Sequence, residues 1–185
     1  MGFTLVELIV TVAILGIFAG ISFVSYTRNW RSERVKAASR ETAAWLDEVR
    51  RVAIQKATPC RILVDRDLRQ LSLHPNPDNS AEFCADNLYA PLNLPLKVQN
   101  SNELLLCSAD IAENDPATTP LNCSTPQPGS SSLVVTPRGT ATSGLLLKFH
   151  MADAGADRCV ALMAPLGQVR SGKATSTGCD FTTSF

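Results

Sequence analysis

The chain has 185 residues and carries 17 Lys/Arg against 17 Asp/Glu, so its formal net charge is zero. That length favours one domain with an appendage over two full domains; the balanced total singles out no class of partner. The distribution is uneven: nine Lys/Arg against four Asp/Glu between Arg28 and Arg61, then one Lys against seven acids between Pro75 and Ser130. A basic stretch precedes an acidic middle.

The first element is apolar. From Leu8 to Val24 there is no charge, and only Thr11 and Ser22 have polar side chains. Extended to Phe3 and Tyr26, a helix here would be about 36 Å long, enough to cross a hydrocarbon core of roughly 30 Å. A cleaved secretory signal has an apolar core of only about 7–15 residues behind a basic start; this run is longer and no basic residue precedes it. A retained membrane span is therefore expected. Glu7 lies at the edge of the run, where an unpaired carboxylate is costly and is usually functional. Arg28, Arg31 and Arg34 follow the span while Met1-Gly2 are uncharged. By the positive-inside rule alone, that asymmetry would put the C-terminal side in the cytoplasm.

Beyond the span, apolar or small residues recur at Val35, Ala38, Thr42, Trp45, Leu46, Val49, Val52 and Ala53. Steps of three and four mark one face of an amphipathic helix, read as a core face against a sheet. No Pro or Gly interrupts Ile21 to Thr58, and Thr58-Pro59 should end the helix near Ala57. After Pro59 short runs take over. Arg61–Val64 and Gln70–His74 flank an Asp65-Arg66-Asp67 turn and read as a hairpin. Leu104–Cys107, Leu133–Thr136, Gly144–His150, Cys159–Met163 and Gln168–Arg170 are further strand candidates, with turn signals at Pro137-Arg138-Gly139 and Pro165-Leu166-Gly167. Between Pro75 and Ser130 lie eight of the eleven prolines, a loop-like insertion that should be functional, stapled or mobile. The expected fold class is α+β, a long helix packed on a small antiparallel sheet.

The residues Gly2-Phe3-Thr4-Leu5-Val6-Glu7-Leu8-Ile9-Val10 resemble the processing site of type IV prepilins and type II secretion pseudopilins. The resemblance implies cleavage after Gly2 by prepilin peptidase, N-methylation of Phe3, and pairing of Glu7 with the terminal amine of a neighbouring subunit. An ammonium and a carboxylate in lipid cost far less together than apart. Gly16 and Gly20 read as weak helix points or as small-residue packing sites in a membrane helix. Further on, Ser132 to Ala141, with its Pro137-Arg138-Gly139 turn, resembles H-type pseudopilins and related minor pilins (the GspH/FimT group), as do Cys159–Met163 and Gly167–Arg170. The implied fold is pilin-like. The implied organisation is a residual leader at 1–2, a transmembrane helix segment at 3–27, its amphipathic continuation at 28–58, and a β-rich periplasmic head at 59–185 carrying the 75–130 insertion. Implied partners are other pilin or pseudopilin subunits, the peptidase and an inner-membrane assembly platform.

Cys60, Cys84, Cys107, Cys123, Cys159 and Cys179 all follow the span, with no CxxC pair and no common zinc spacing. In an exported domain an even number suggests three disulfides. Six cysteines allow 15 pairings; Cys159 with Cys179 is favoured because it would tie the C-terminal tail to a strand, and two bridges could hold the insertion. Catalysis finds little support: His74 and His150 lie in no nucleophile motif, Ser130-Ser131-Ser132 is no nucleophile elbow, Asp65 and Asp67 read as turn residues, and Gly139–Gly144 lacks the Lys of a phosphate loop. No cofactor or metal is expected. One alternative follows from the resemblance, because some minor pilins of this group bind DNA through basic residues of the closing hairpin. Here Arg138, Arg170 and Lys173 would be the candidates, with Gln168 standing where those proteins carry an arginine.

Overall fold

A computed structural model describes residues 4–73, 84, 90–94, 104–111, 115–123, 127–175 and 178–182, with side chains at 19, 21–25, 27 and 28 excepted. One helix, α1, runs from Leu5 to Lys56. Thr4 caps it: its backbone is extended, and its hydroxyl oxygen accepts from the Glu7 N–H at 3.4 Å. At the far end Ala57 turns left-handed (φ 51°) and donates its N–H to the Ile54 carbonyl, with Pro59 blocking continuation.

Among the described residues nine strands follow: β1 (Cys60–Asp65), β2 (Gln70–Leu73), β3 (Leu92–Asn93), β4 (Leu104–Ile111), β5 (Ser130–Val135), β6 (Gly144–Met151), β7 (Arg158–Met163), β8 (Gln168–Ala174) and β9 (Cys179–Asp180). They form two antiparallel sheets rather than the single one expected. The smaller has the order β3-β2-β1-β5 and the larger β4-β6-β7-β8-β9. The difference arises in the 75–130 stretch, which is more than a loop: β4 pairs with β6 over its whole length, from Leu104 opposite Met151 to Ile111 opposite Gly144. β8 also runs past the expected Arg170, because Lys173 and Ala174 find partners in Asp180 and Cys179.

The β1–β2 turn has a local cause. Asp65 accepts from the N–H groups of Asp67 and Leu68, both at 2.9 Å, an Asx turn that places Asp65 as a structural residue. His74 lies outside the described residues.

The main core lies between α1 and the two sheets. Val35, Ala38, Leu46, Val49, Val52 and Ala53 from the helix meet Ile62, Val64, Leu133, Val135, Leu145, Leu147, Phe149, Val160 and Leu162 from the strands. Ser39 and Thr42, also buried on this face, satisfy their hydroxyls on the Lys36 and Ala38 carbonyls. A second, smaller core covers the outer face of the larger sheet. There Ile111, Leu146, Cys159, Ala161 and Cys179 pack with Leu121, Met163, Ala174 and Phe181. With both faces covered, β6 reads as a near-continuous apolar run, Gly-Leu-Leu-Leu-Lys-Phe-His-Met, instead of alternating.

Three disulfides join Cys60 to Cys84, Cys107 to Cys123 and Cys159 to Cys179, with Cα separations of 5.0, 5.8 and 6.1 Å. The first two fasten residues 84 and 123 to β1 and β4. The third fastens the tail to β7 across the small outer core. Replacing Cys159 and Cys179 together by Ser should therefore lower head stability by about 2–4 kcal/mol and expose the tail to protease. Urea unfolding and limited proteolysis read this, and an unchanged midpoint with a protected tail would show that the outer core holds without the bridge.

Candidate functional site: an exposed apolar helical arm

Every described side chain from Thr4 to Phe18 is exposed, Leu5 by 75% and Phe18 by 65%, whereas Val35 on the same helix is fully buried. The arm is apolar around its whole circumference, and Glu7 is its one ionisable group. A helix hydrophobic on all sides requires a cover that the head does not supply. Gly16 and Gly20 both face open space, with nothing within 4 Å of a Cβ added at either. Among the described residues no helix is long and apolar enough to cross a membrane. The unbroken run of described side chains, Leu5 to Phe18, is about 21 Å long at the α-helical rise, short of a hydrocarbon core. The remainder of the sequence-predicted span includes side chains outside the described set.

Gly2 and Phe3 lie outside the described residues. Glu7 occupies the third helical position after the Thr4 cap, the spacing of a capping box, and the positive end of the helix dipole favours an acid there. Thr4 is thus a contributor that the motif reading overlooked, although Thr4-x-x-Glu7 spells the cap. Cleavage after Gly2 would leave it intact.

Where the arm meets the head, Arg31 donates to Asp153 at 2.9 Å and to the Ala152 carbonyl at 3.3 Å, tying α1 to the β6–β7 turn. One turn on, the hydrogen bond and charge of Lys36 hold the Glu33 carboxyl below its ordinary range. The Glu33 side chain is mostly exposed and Lys36 partly so, and solvent screening leaves such a pair worth little.

The far end of the helix is held by Arg50. Its Nε donates to the Gly139 carbonyl at 2.9 Å and a terminal nitrogen to the Leu166 carbonyl at 3.3 Å, clamping the β5–β6 and β7–β8 turns onto α1. The two turns also touch each other, since Ala141 donates to the Pro165 carbonyl at 3.0 Å. Arg50 gave no signal in the sequence, because its acceptors are backbone carbonyls 89 and 116 residues away.

The basic candidates of the closing hairpin do not converge. Arg170 and Lys173 are both exposed on β8, but three residues apart in a strand they point to opposite faces. Arg138 is exposed in the turn beside the helix end. Arg170 lines an open cavity of about 430 Å³ together with Asp115, Asp180 and Phe181, an acidic setting rather than a phosphate-binding one. Elsewhere, Asp157 bridges His150 (2.8 Å) and Lys148 (3.2 Å) on the larger sheet, with no nucleophile in the cluster. Among the described residues no group of three His, Cys, Asp or Glu is placed to hold a metal.

Residues 2–23 match the prokaryotic N-terminal methylation motif. Motif and head together resemble type IV pilin-like proteins, and the α+β fold is pilin-like, similar to that of an H-type pseudopilin. Among solved structures, the minor pseudopilin EpsH from the type 2 secretion system of Vibrio cholerae superposes with a TM-score of 0.50 at 16% identity, covering 76% of this chain and 97% of that one. No curated protein sequence matches significantly.

The packed turns give a test of the head. Gly167 adopts φ +64°, and a Cβ there would sit 2.2 Å from the Gly139 carbonyl oxygen, a backbone atom that cannot step aside cheaply. Gly167→Ala should cost at least about 2 kcal/mol in urea unfolding; a midpoint equal to that of the parent protein would mean the two turns are not packed as described.

Proposed function

We propose that the chain is a structural subunit, a minor pilin or pseudopilin, of a type IV pilus or type II secretion filament, with no catalytic role. The observation that carries this reading is the arm, apolar on every face and bearing a single carboxylate one turn from its start. In this reading prepilin peptidase cuts after Gly2, Phe3 is N-methylated, and residues 3–27 hold the subunit in the inner membrane. The helix continues through residues 28–58 into a periplasmic head formed by residues 59–185. An inner-membrane platform then moves the arm from lipid into a bundle of equivalent helices. Lipid and bundle are interchangeable covers, because the helix satisfies its own backbone and asks only for apolar surroundings.

Glu7 has a distinct part. In a dry bundle it needs a cation, and the methylated amine of a neighbouring Phe3 supplies one. Displacing one subunit along the axis by even a residue would leave both charges unpaired, so the pair sets register. The disulfides fit an oxidising compartment.

Two measurements test the reading. Intact mass of protein from native membranes or sheared filaments should give a chain starting at Phe3, one methyl heavier and six hydrogens lighter than the reduced sequence. An uncleaved, unmethylated chain with free thiols would sink it. Separately, Glu7→Ala should reduce incorporation into filaments at least tenfold, as expected for loss of a buried pair worth a few kcal/mol, while head unfolding is unchanged. Normal incorporation would remove Glu7 from the assembly mechanism.

A further inference from the structure

Between the arm and the head lies a group that neither the fold nor filament assembly accounts for. The Tyr26 and Trp30 rings stack with centroids 6.5 Å apart at 18°, and the Arg34 guanidinium carbon lies 4.9 Å over the Trp30 ring. Spaced i, i+4, i+8, the three form one stripe along α1. The rings are open to their surroundings, Tyr26 by 66% and Trp30 by 53%. Among the described residues, helix burial begins only at Val35, and Arg31 is spent on Asp153. Arg34, by contrast, makes no ion pair among the described residues, so its N–H groups remain available to an anion.

Position along the helix selects the partner. From Leu5 to Tyr26 the rise is about 31 Å, matching a hydrocarbon core of roughly 30 Å. With Leu5 at one boundary of that core, Tyr26 reaches the other. Trp30 then falls about 6 Å beyond it and Arg34 about 12 Å beyond, the depth of glycerol and phosphate groups. Amphipathic Tyr and Trp rings favour that layer. A guanidinium there can donate to phosphate oxygens in a forked pair while its plane stays on the indole.

We propose that Tyr26, Trp30 and Arg34 form an interfacial anchor that seats α1 in the lipid headgroup layer on the head side of the bilayer, rings at the glycerol level and guanidinium on the phosphates. The proposal rests on the membrane-spanning reading of the arm. It adds what fixes the depth of the subunit, so that the β6–β7 turn carrying Asp153, held by Arg31 between Trp30 and Arg34, meets the headgroup layer and the apolar arm is in register with the hydrocarbon.

The sequence permits a direct test, because it contains only two tryptophans, Trp30 and Trp45, and Trp45 is partly buried against the main core, where Phe can replace it. The full chain with Trp45→Phe is reconstituted into phosphatidylcholine–phosphatidylglycerol vesicles carrying lipids brominated at different depths, and flotation reports insertion independently. Trp30 emission should be blue-shifted, quenched several-fold more by bromines near the headgroup than by bromines near the chain ends, and weakly by aqueous iodide. Adding Tyr26→Ala and Arg34→Ala should abolish that depth preference while the protein still floats. A floating chain whose Trp30 is quenched by iodide and not by bromine overturns the anchor and leaves the membrane span standing. Shielding of Trp30 from both quenchers overturns it in favour of a second copy of the chain on the aromatic face. A depth preference that survives the double substitution shows the rings to be passengers. Failure to float overturns both readings together.

Discussion

A helix satisfies its own backbone hydrogen bonds wherever it is placed, but its side chains still require a suitable cover, and α1 has protein cover along only part of its length. From Val35 onward the apolar stripe is sealed by strands of both sheets. From Leu5 to Phe18 the side chains are apolar on every side of the helix and exposed. Most helix stability in proteins comes from such packing rather than from propensity, so the covered half must hold the whole element in place. The grip is arranged at both ends of the packed segment: Arg31 fastens α1 to the β6–β7 turn and Arg50 to the two turns at the opposite end. Between these fixed points the helix is a rigid post, and whatever happens to the free arm is transmitted to the head.

The head must be firm with limited means. Its main core is contiguous, while among the described residues the outer face of the larger sheet is covered by a few side chains, including Leu121, Met163 and Phe181. A layer that thin buries little apolar area, and small cores of this kind gain from cross-links that restrict the unfolded chain. Cys159–Cys179 lies within that layer, and Cys107–Cys123 fastens the segment that brings Leu121 onto it. Cys60–Cys84 does the same for residues near the start of β1, where the Cys84 N–H also donates to the Pro59 carbonyl. The bridges and the small apolar contacts thus act at the same places.

What could be read in the sequence was what has a short-range cause. The helix end at Pro59 and the hairpin around Asp65 follow from local stereochemistry, and the strands near 133, 144 and 159 follow from apolar runs between turn residues. The two-sheet arrangement did not show. β3 and β9 are two residues each, too short to carry a pattern, and β4 continues through Ser108 and Asp110 only because β6 offers partners opposite them. Arg170 and Lys173 of the closing hairpin are near neighbours in sequence, but strand alternation sends them to opposite faces. Of the arm, the lone carboxylate in an apolar run was plain; the Thr4 cap beneath it was equally legible and went unread because the processing motif covers the same residues.

That overlap between cap and motif has a physical sense. A carboxylate in the first turn interacts with the positive end of its own helix, worth typically 0.3–1 kcal/mol at exposed sites and more where water is excluded. Glu7 is therefore partly compensated before any partner arrives, which lowers the cost of holding a charge at the boundary of an apolar medium. The compensation is too small to satisfy a buried ion. In the proposed filament this intermediate state is what makes the residue useful: tolerable while the arm waits in lipid, and insufficiently paired until a neighbour's amine is in reach. A stronger internal partner, such as a lysine one turn further along α1, would remove the dependence on a neighbour and with it the information about register. In the proposed filament the uncharged run from Leu8 to Val24 supplies no such rival on that side of Glu7, which leaves the carboxylate open to a neighbour's amine.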